Sequence, residues 1–494
     1  MLGDAILDVA GRMGDRDSTI HEGRSLSYRQ LIDSSLRLAS VFCSKDSGLN
    51  AQSSAREGKS KLPVAIQLGN CVDYPIVVTA LAILGIPILP VHCQWNPDET
   101  LRSLGGRKIS GLIGDSVALE KWRGFSTRTD LELMEIGNLR SLASDASLLD
   151  MSKRIPPQEG DEALCLMTSG TTSAPKLVIR SHGNLLNNSK NVGESLGWKK
   201  GARVLPVTPF HHANGFSNGL LLPILRGACT VILSTFFPSK LVAMVREESV
   251  NVLVASPIVY SSLLSYPEAT ASMQGLSQAI SSGAALPLEV VTEAHRRWGL
   301  QIRELYGSSE TGTISIEPVR STPSLRSVGV AVPGVEIGIH SETGENLPAG
   351  EIGLIAVRSA AIMQGYWRPD GVQSACNSEG WYYTGDFGTL QHDQSIQLHG
   401  RRRKFINSGG NKIDPLEIEE VLNRFPNIRR SVVFGQPHSR LGEVVHATVF
   451  LAPMVEVDQK EIYSYLHKAL ADYKIPRVLQ IKSAAVSNIP DKNS

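Results

Sequence analysis

Charge of either sign is almost absent in excess. Lys and Arg together number 49 against 48 Asp and Glu, a formal net charge of +1 over 494 residues. That balance removes the electrostatic case for a nucleic-acid partner or an anionic membrane surface. Long apolar runs are missing too. No stretch reaches the ~18 apolar residues a membrane-spanning helix needs. The opening Met1-Leu2-Gly3-Asp4 has no basic segment ahead of an apolar core. No membrane span is expected, and the expected location is cytoplasmic. Cysteine is scarce: Cys43, Cys71, Cys93, Cys165, Cys229 and Cys376, none paired at metal-ligand spacing and several inside apolar runs. They read as buried thiols in a reducing compartment. Solenoid or propeller repeats and low-complexity tracts are also absent.

What is present describes a globular enzyme: 42% hydrophobic and 20% charged residues, on a chain too long for one ordinary core. Residues 63–68 read as a buried strand, 74–84 as a helix and 85–90 as a turn and strand. Strand, helix and strand in so short a span make a βαβ unit and imply a parallel sheet. Ser27, with Gln30 three residues on, reads as the N-cap of a helix. Polar residues 44–62 read as a mobile surface loop. Further strands are expected at 109–113, 203–207, 227–233 and 250–254, and a helix from His182 to about Glu194 capped by Ser181. Composition shifts near residue 400. Beyond it, Pro415-Leu416-Glu417-Ile418 opens an amphipathic helix with proline and acid at its start. Strands at 430–434 and 444–451 and a helix at 459–471 complete a small α+β unit. The expected architecture is α/β: a large domain, 1–400, of parallel and mixed sheets flanked by helices, and a small α+β domain, 401–494.

The most informative stretch is Met167-Thr168-Ser169-Gly170-Thr171-Thr172-Ser173-Ala174-Pro175-Lys176. Apolar 163–167 precedes it and β-branched 177–179 follows, so it reads as a tight loop between two strands. Backbone N–H groups, hydroxyls and one ammonium in a small volume suit a polyphosphate. It is not a Walker loop, which needs Gly-Lys-Ser/Thr opening a helix; the other reading is an ordinary Ser/Thr-rich turn.

Other stretches carry chemistry by type. Pro209-Phe210-His211-His212-Ala213-Asn214-Gly215 places two histidines and an asparagine on one loop, for an acyl carboxylate, a metal, or merely the surface. Adjacent histidines are poor metal spacing because their side chains are expected to diverge. Ser281-Ser282-Gly283-Ala284-Ala285 ends a strand in small residues that let a ligand approach the backbone. In Tyr306-Gly307-Ser308-Ser309-Glu310, a tyrosine can stack on a base and a carboxylate can take Mg²⁺. Asp386 ends a glycine-containing turn and could accept both ribose hydroxyls or bond its own backbone.

Together these stretches resemble the adenylate-forming superfamily: acyl-CoA synthetases, nonribosomal adenylation domains and luciferases. The resemblance covers almost the whole chain, with five motifs in the family's order. It implies ATP-dependent activation of a carboxylic acid to an acyl-adenylate, then transfer to a thiol of CoA or of a carrier protein's phosphopantetheine. ATP and Mg²⁺ are the implied cofactors. On this resemblance Thr168, Ser169, Gly170, Thr171, Thr172 and Lys176 hold the polyphosphate. Ala284, Tyr306, Gly307, Ser308 and Ser309 flank the nucleotide, Asp386 and Arg401 take the ribose, and Glu310 takes Mg²⁺. His212, Asn214, Gly283, Ala284, Ala285 and Gly307 border the acyl group, with His212, Ser309 and Glu310 at the reacting centre. Arg403 is the implied hinge, and Ser408, Gly409 and Gly410 face the pantetheine tunnel.

The departures are specific. Ser173 and Leu177 stand where the family has glycine, and Arg403 where it has Asp or Lys. No acid lies between Phe210 and Leu220, where amino-acid-activating relatives place an aspartate, so a substrate without an α-amine is expected. Asn488-Ile489-Pro490 aligns with the family's closing motif so that its lysine is expected just beyond Ser494, with Lys492 the nearest substitute. Two alternatives therefore stand beside the enzyme: a catalytically weak adenylate-binding relative, and a scaffold with the same fold.

Overall fold

The computed structural model describes residues 1–44, 61–126, 131–168, 176–319, 327–341, 343–401, 406–408, 411–438, 440–452, 455 and 457–483. The predicted loop at 44–62 lies almost wholly outside them. The chain is a mixed α/β protein of two compact units. The first comprises Met1–Ile337 and Val357–Tyr382, the second Gly338–Ala356 and Tyr383–Ser494. The division expected at residues 400/401 falls inside the second unit.

One sheet of the first unit has strands in the order Gly371–Gln373, Gly365–Arg368, Lys176–Ser181, Glu162–Thr168, Ile88–Pro90, Val64–Gln67, Gly111–Gly114 and Glu132–Glu135. Val64–Gln67 and Ile88–Pro90 pair in parallel across the helix Asp73–Leu84, as the βαβ reading requires. That helix is apolar on nearly every side and buried accordingly. Gln67 is fully buried at its strand's end. Its amide accepts from Trp122 Nε1 at 2.7 Å and donates to the carbonyls of His92 and Trp95, at 3.2 and 2.8 Å. A satisfied polar group inside the core thus fixes the loop that carries His92.

Glu162–Thr168 and Lys176–Ser181 form an antiparallel pair whose last rungs are Met167↔Leu177 and Thr168↔Lys176. The predicted strand–loop–strand arrangement holds at both flanks. Ser181 caps the helix His182–Leu196, its hydroxyl accepting from Asn184 N at 3.1 Å. Ser27 and Gln30 form the expected capping box.

The other sheet of this unit carries parallel strands Cys229–Ile232, Arg203–Pro206, Val252–Ala255, Gln278–Ser282 and Ile302–Ser308. Gly312–Ile316 follows antiparallel to Ile302–Ser308. Of the expected strands, that at 203 begins as expected, while those at 227 and 250 begin two residues late, because Gly227, Ala228, Val250 and Asn251 belong to the preceding turns. Val250, Leu253, Tyr260, Met273 and Trp298 pack a continuous core on one face of this sheet. Burying each such side chain is worth about 1.5–3 kcal/mol. The carboxyl ends of the parallel strands point their loops to one edge, which is where ligands bind in open α/β sheets.

In the second unit, Ile428–His438 and Gly442–Leu451 form a long antiparallel hairpin, with Val478–Ser483 parallel to the latter. Helices Pro415–Asn423 and Gln459–Ala469 cover it through Ile418, Leu422, Ile462 and Leu466. This is the predicted α+β unit. Asp386 differs from expectation. It sits within the strand Tyr382–Leu390, opposite Arg401, rather than at the end of a turn. Gly385 adopts φ 79° and the register slips between Phe387 and Gly388, so the strand absorbs the irregularity without ending.

Candidate active site

A cavity of about 400 Å³ opens at the carboxyl edge of the parallel strands. Thr208 follows the strand Arg203–Pro206, Ser256 follows Val252–Ala255, Ser282, Gly283 and Ala284 end Gln278–Ser282, and Gly307–Ser309 end Ile302–Ser308. His212, Ala213 and Asn214 come from the loop ahead of a π-helical segment, Gly215–Leu221. Five successive pieces of sequence thus meet in one wall. Ala285 and Tyr306 stand beside this wall rather than in it. Tyr306 belongs to the strand Ile302–Ser308; the turn comes after it, at 309–311.

Close backbone approach shapes the wall. A Cβ on Gly307 would lie 2.1 Å from the Gly312 carbonyl oxygen, so only glycine fits. Gly312 has φ 69°, and a Cβ there would meet Asn188 Oδ1 at 2.4 Å and Arg180 Nη2 at 2.9 Å. Between the two glycines, the Ser308 hydroxyl accepts from the amides of Glu310 and Thr311, both at 3.2 Å. This local turn presents Glu310 on a defined backbone.

Glu310 is held from across the unit. The Tyr366 hydroxyl donates to Glu310 Oε1 at 3.0 Å and lies 3.3 Å from the Tyr382 hydroxyl. Burial and the Glu310 carboxylate push the Tyr366 phenol up to about 12, so it remains a donor. Lys176 Nζ stands 4.7 Å over the Tyr366 ring, within cation–π range. The lysine of the hydroxyl-rich loop and the acid of the Tyr306–Glu310 motif are therefore joined through one tyrosine. Met363 N also donates to the Glu310 carbonyl at 2.7 Å.

The histidines depart from expectation. The rings of His211 and His212 do not diverge; their centroids are 4.4 Å apart, and His92 joins at 4.4 Å from His211. The backbone turn at 210–212, with His212 N bonded to Pro209 O, folds the two side chains to one side. Burial, reinforced by His212 and His92, drives His211 down to about 3. Burial and then His92 lower His212, which keeps an exposed edge at the cavity. Neutral imidazoles result at ordinary pH, and no cluster of metal-ligating side chains is found among the described residues.

Thr168 and Lys176 are neighbours across the hairpin, the Thr168 hydroxyl donating to Lys176 O at 3.2 Å. Ser169, Gly170, Thr171, Thr172 and Ser173 lie outside the described residues, as do Arg403, Gly409, Gly410 and Lys492. Asp386, Arg401 and Ser408 belong to the second unit. There Asp386 N donates to Thr384 Oγ1 at 3.1 Å, and Ser408 pairs with Asn411 and Gly442. The side chain of Arg401 is likewise outside the described part.

Sequence reasoning missed His92, Arg180 and Asn188 and gave Tyr366 no role, whereas the loop around Asn214–Asn218, expected at the acyl pocket, does line the cavity. For Arg180 a signal existed: a cation closing the apolar run Leu177-Val178-Ile179 on the strand expected after the hydroxyl-rich loop. For Tyr366 and His92 there was none, since the contact partner is remote in sequence.

The AMP-binding enzyme family profile matches residues 7–367, and the profile of the AMP-binding enzyme C-terminal domain matches residues 417–490. A feruloyl-CoA synthase of Amycolatopsis sp. is 30% identical over 69% of this chain and 71% of its own length. A long-chain-fatty-acid–CoA ligase of Bacillus subtilis is 26% identical over 97% of this chain and 90% of its own. The crystal structure of ATP-bound MatB from Rhodopseudomonas palustris superposes with a TM-score of 0.87 at 24% identity, covering 99% of this chain and 96% of that one. That last likeness concerns the fold, a large N-terminal and a small C-terminal domain.

Proposed function

The chain belongs to the AMP-binding enzyme family, within the adenylate-forming superfamily, and on that premise we propose how its residues share the reaction. It is an acid–thiol ligase. A carboxylate oxygen attacks the α-phosphorus of ATP; the bond to pyrophosphate breaks and an acyl-adenylate forms. The thiolate of CoA then attacks the acyl carbon, AMP leaves, and the thiol proton passes to solvent. Both steps depend chiefly on positioning and on neutralising charge.

One observation carries the assignment of residues: Lys176, Tyr366 and Glu310 form a connected set beside the cavity at the sheet's carboxyl edge. Lys176, with Thr168 and residues 169–172, holds the polyphosphate. Glu310 fits Mg²⁺. A single carboxylate on a fixed turn, with one oxygen taken by Tyr366, matches an ion that keeps waters and phosphate oxygens as its other ligands. When bound, the ion neutralises phosphate charge.

His212, Asn214, Gly283 and Ala284 line the acyl side, His212 as a neutral hydrogen-bonding group rather than a cation, and Ser309 stands at the reacting centre beside the α-phosphate. Tyr306 and Gly307 face the base, and Asp386 and Arg401 take the ribose. The second unit contributes the hinge at Arg403 and the thiol-facing loop 408–410. The acceptor we assign is CoA, with a carrier protein's phosphopantetheine as the alternative. The division into domains 1–400 and 401–494 describes the moving parts. An acid without an α-amine suits a loop that has no carboxylate between Phe210 and Leu220. No helix among the described residues is long and apolar enough to cross a membrane. We place the enzyme in the cytoplasm on the strength of its six free cysteines.

Incubation with ATP, Mg²⁺, CoA and a broad panel of acids tests this. AMP, pyrophosphate and thioester are expected in equal amounts. Release of ADP and phosphate instead would overturn it.

A further inference from the structure

Arg180 is fully buried on the strand Lys176–Ser181, yet it lines the cavity. Its Nη2 donates to Ala361 O at 2.7 Å. Its Nε and Nη1 have no hydrogen-bond partner. Burial lowers it to about 10, offset in part by the charge of Glu310, so it remains a cation at neutral pH. A buried guanidinium with two idle donors is a costly arrangement for a folded protein to keep. Neighbours in the same wall repeat the pattern. Asn188 Nδ2, Ser217 Oγ and Ser282 Oγ are buried and unpartnered as well. Asn188 accepts from Thr313 N through its Oδ1 at 2.8 Å, and its amide NH2 group has no partner. Asn218 is anchored through Nδ2 to Asn214 and Thr313, at 2.9 and 3.2 Å. Of these idle atoms three only donate, two of them on a fixed cation, and the serine hydroxyls can donate or accept; Asn218 Oδ1, also unpartnered, is the one obligate acceptor among them.

We propose that the cavity takes an acid with a second carboxylate, and that Arg180 selects it. The proposal rests on the reading of the chain as an acid–thiol ligase and adds the substrate class. One carboxylate of the diacid is activated. The other lies against the Nε–Nη1 edge of Arg180, with Asn188 and the two serine hydroxyls completing its shell. A monocarboxylic acid with a methyl at that end would leave the guanidinium desolvated and unpaired, which is how a polar site rejects an apolar analogue. The same donors could instead serve the α-phosphate of the nucleotide, since Ser308 and Ser309 share the wall; the variant below separates the two.

The experiment compares matched straight-chain acids that end in carboxylate or in methyl, in acid-dependent AMP release by the wild-type chain and by Arg180→Met. Wild type is expected to prefer the diacid of a pair by about a hundredfold in kcat/KM. Arg180→Met is expected to lose about that factor for diacids, to lose far less for the methyl-ended acids, and to leave the KM for ATP within about twofold. The proposal is overturned if wild type prefers the methyl-ended acid, or if the variant loses both classes equally. A raised ATP KM would also overturn it, by assigning Arg180 to the nucleotide. Should the variant not fold, the wild-type pairs still decide. Failure of the ligase reading looks different: no acid of the broad panel above would release AMP, whereas release with other acids and with neither straight-chain class overturns this proposal alone.

Discussion

Two charged groups in the first unit meet opposite fates. Glu310 is surrounded by groups that satisfy it: the Tyr366 hydroxyl on Oε1, a serine turn beneath its backbone, and Lys176 stacked over the same tyrosine. Arg180, less exposed, keeps two nitrogens without partners. The first arrangement holds a side chain in place before anything binds. The second leaves its binding capacity to whatever enters. Where a protein spends its own hydrogen bonds shows what it positions; where it withholds them shows what it expects to meet.

The contrast can be broken at several points. The largest effect is expected from Glu310→Gln. The amide still accepts from Tyr366, so geometry survives while the charge is lost. The adenylation rate at saturating Mg²⁺ should fall by about 10²–10³, on the order of 3–4 kcal/mol. Little change in steady-state AMP release would remove Glu310 from the site.

Gly312→Ala comes next, because it strikes the point where Arg180 and Asn188 approach the backbone. A Cβ 2.4 Å from Asn188 Oδ1 at a positive φ should cost about 2–4 kcal/mol, read from urea unfolding. A wild-type midpoint would mean the approach is looser than drawn.

Glu304 tests the acyl wall by pH. Burial raises its carboxyl to about 7, and its Oε1 accepts from Leu286 N at 3.3 Å, bracing the loop after Gly283. Because the folded value lies above the unfolded one of 4.5, the neutral form's stability is fully present below pH 4.5 and lost as pH rises through 7. Glu304→Gln has no such loss. It should match wild type near pH 4 and exceed it by up to about 3 kcal/mol at pH 8. Parallel stability curves would show that Glu304 titrates normally.

Tyr366→Phe should do least. It removes one hydroxyl from Glu310 and keeps the ring under Lys176. An effect of about 1 kcal/mol is expected, a roughly fivefold rise in the Mg²⁺ needed for half-maximal rate, with kcat at saturating Mg²⁺ nearly kept. A large fall in kcat alone would give Tyr366 a different role.

Much of this was legible in the sequence wherever information was local. The capping box at Ser27 and Gln30, the strand–helix–strand at 64–90 and the helix after Ser181 each rest on residues a few positions apart. The cavity wall was legible as separate motifs, because glycine and small residues at 283–284 and 307–312 announce close backbone approach. What joins them was not. Tyr366 reaches Glu310 across 56 positions, and His92, on a loop to which Gln67 donates a hydrogen bond, meets His211 from a distant part of the chain. The histidine pair was misjudged for a related reason: spacing along the chain says nothing of a turn that folds adjacent rings together. Asp386 was placed in a turn by its glycine, whereas strand pairing with 395–401 outweighed that local preference.

The most direct measurement is exchange of labelled pyrophosphate into ATP by the full chain, with and without carboxylic acid. The account predicts exchange that requires an acid and Mg²⁺ and falls by about 10²–10³ in Glu310→Gln. Exchange that is absent with every acid, or that proceeds equally without one, would contradict it.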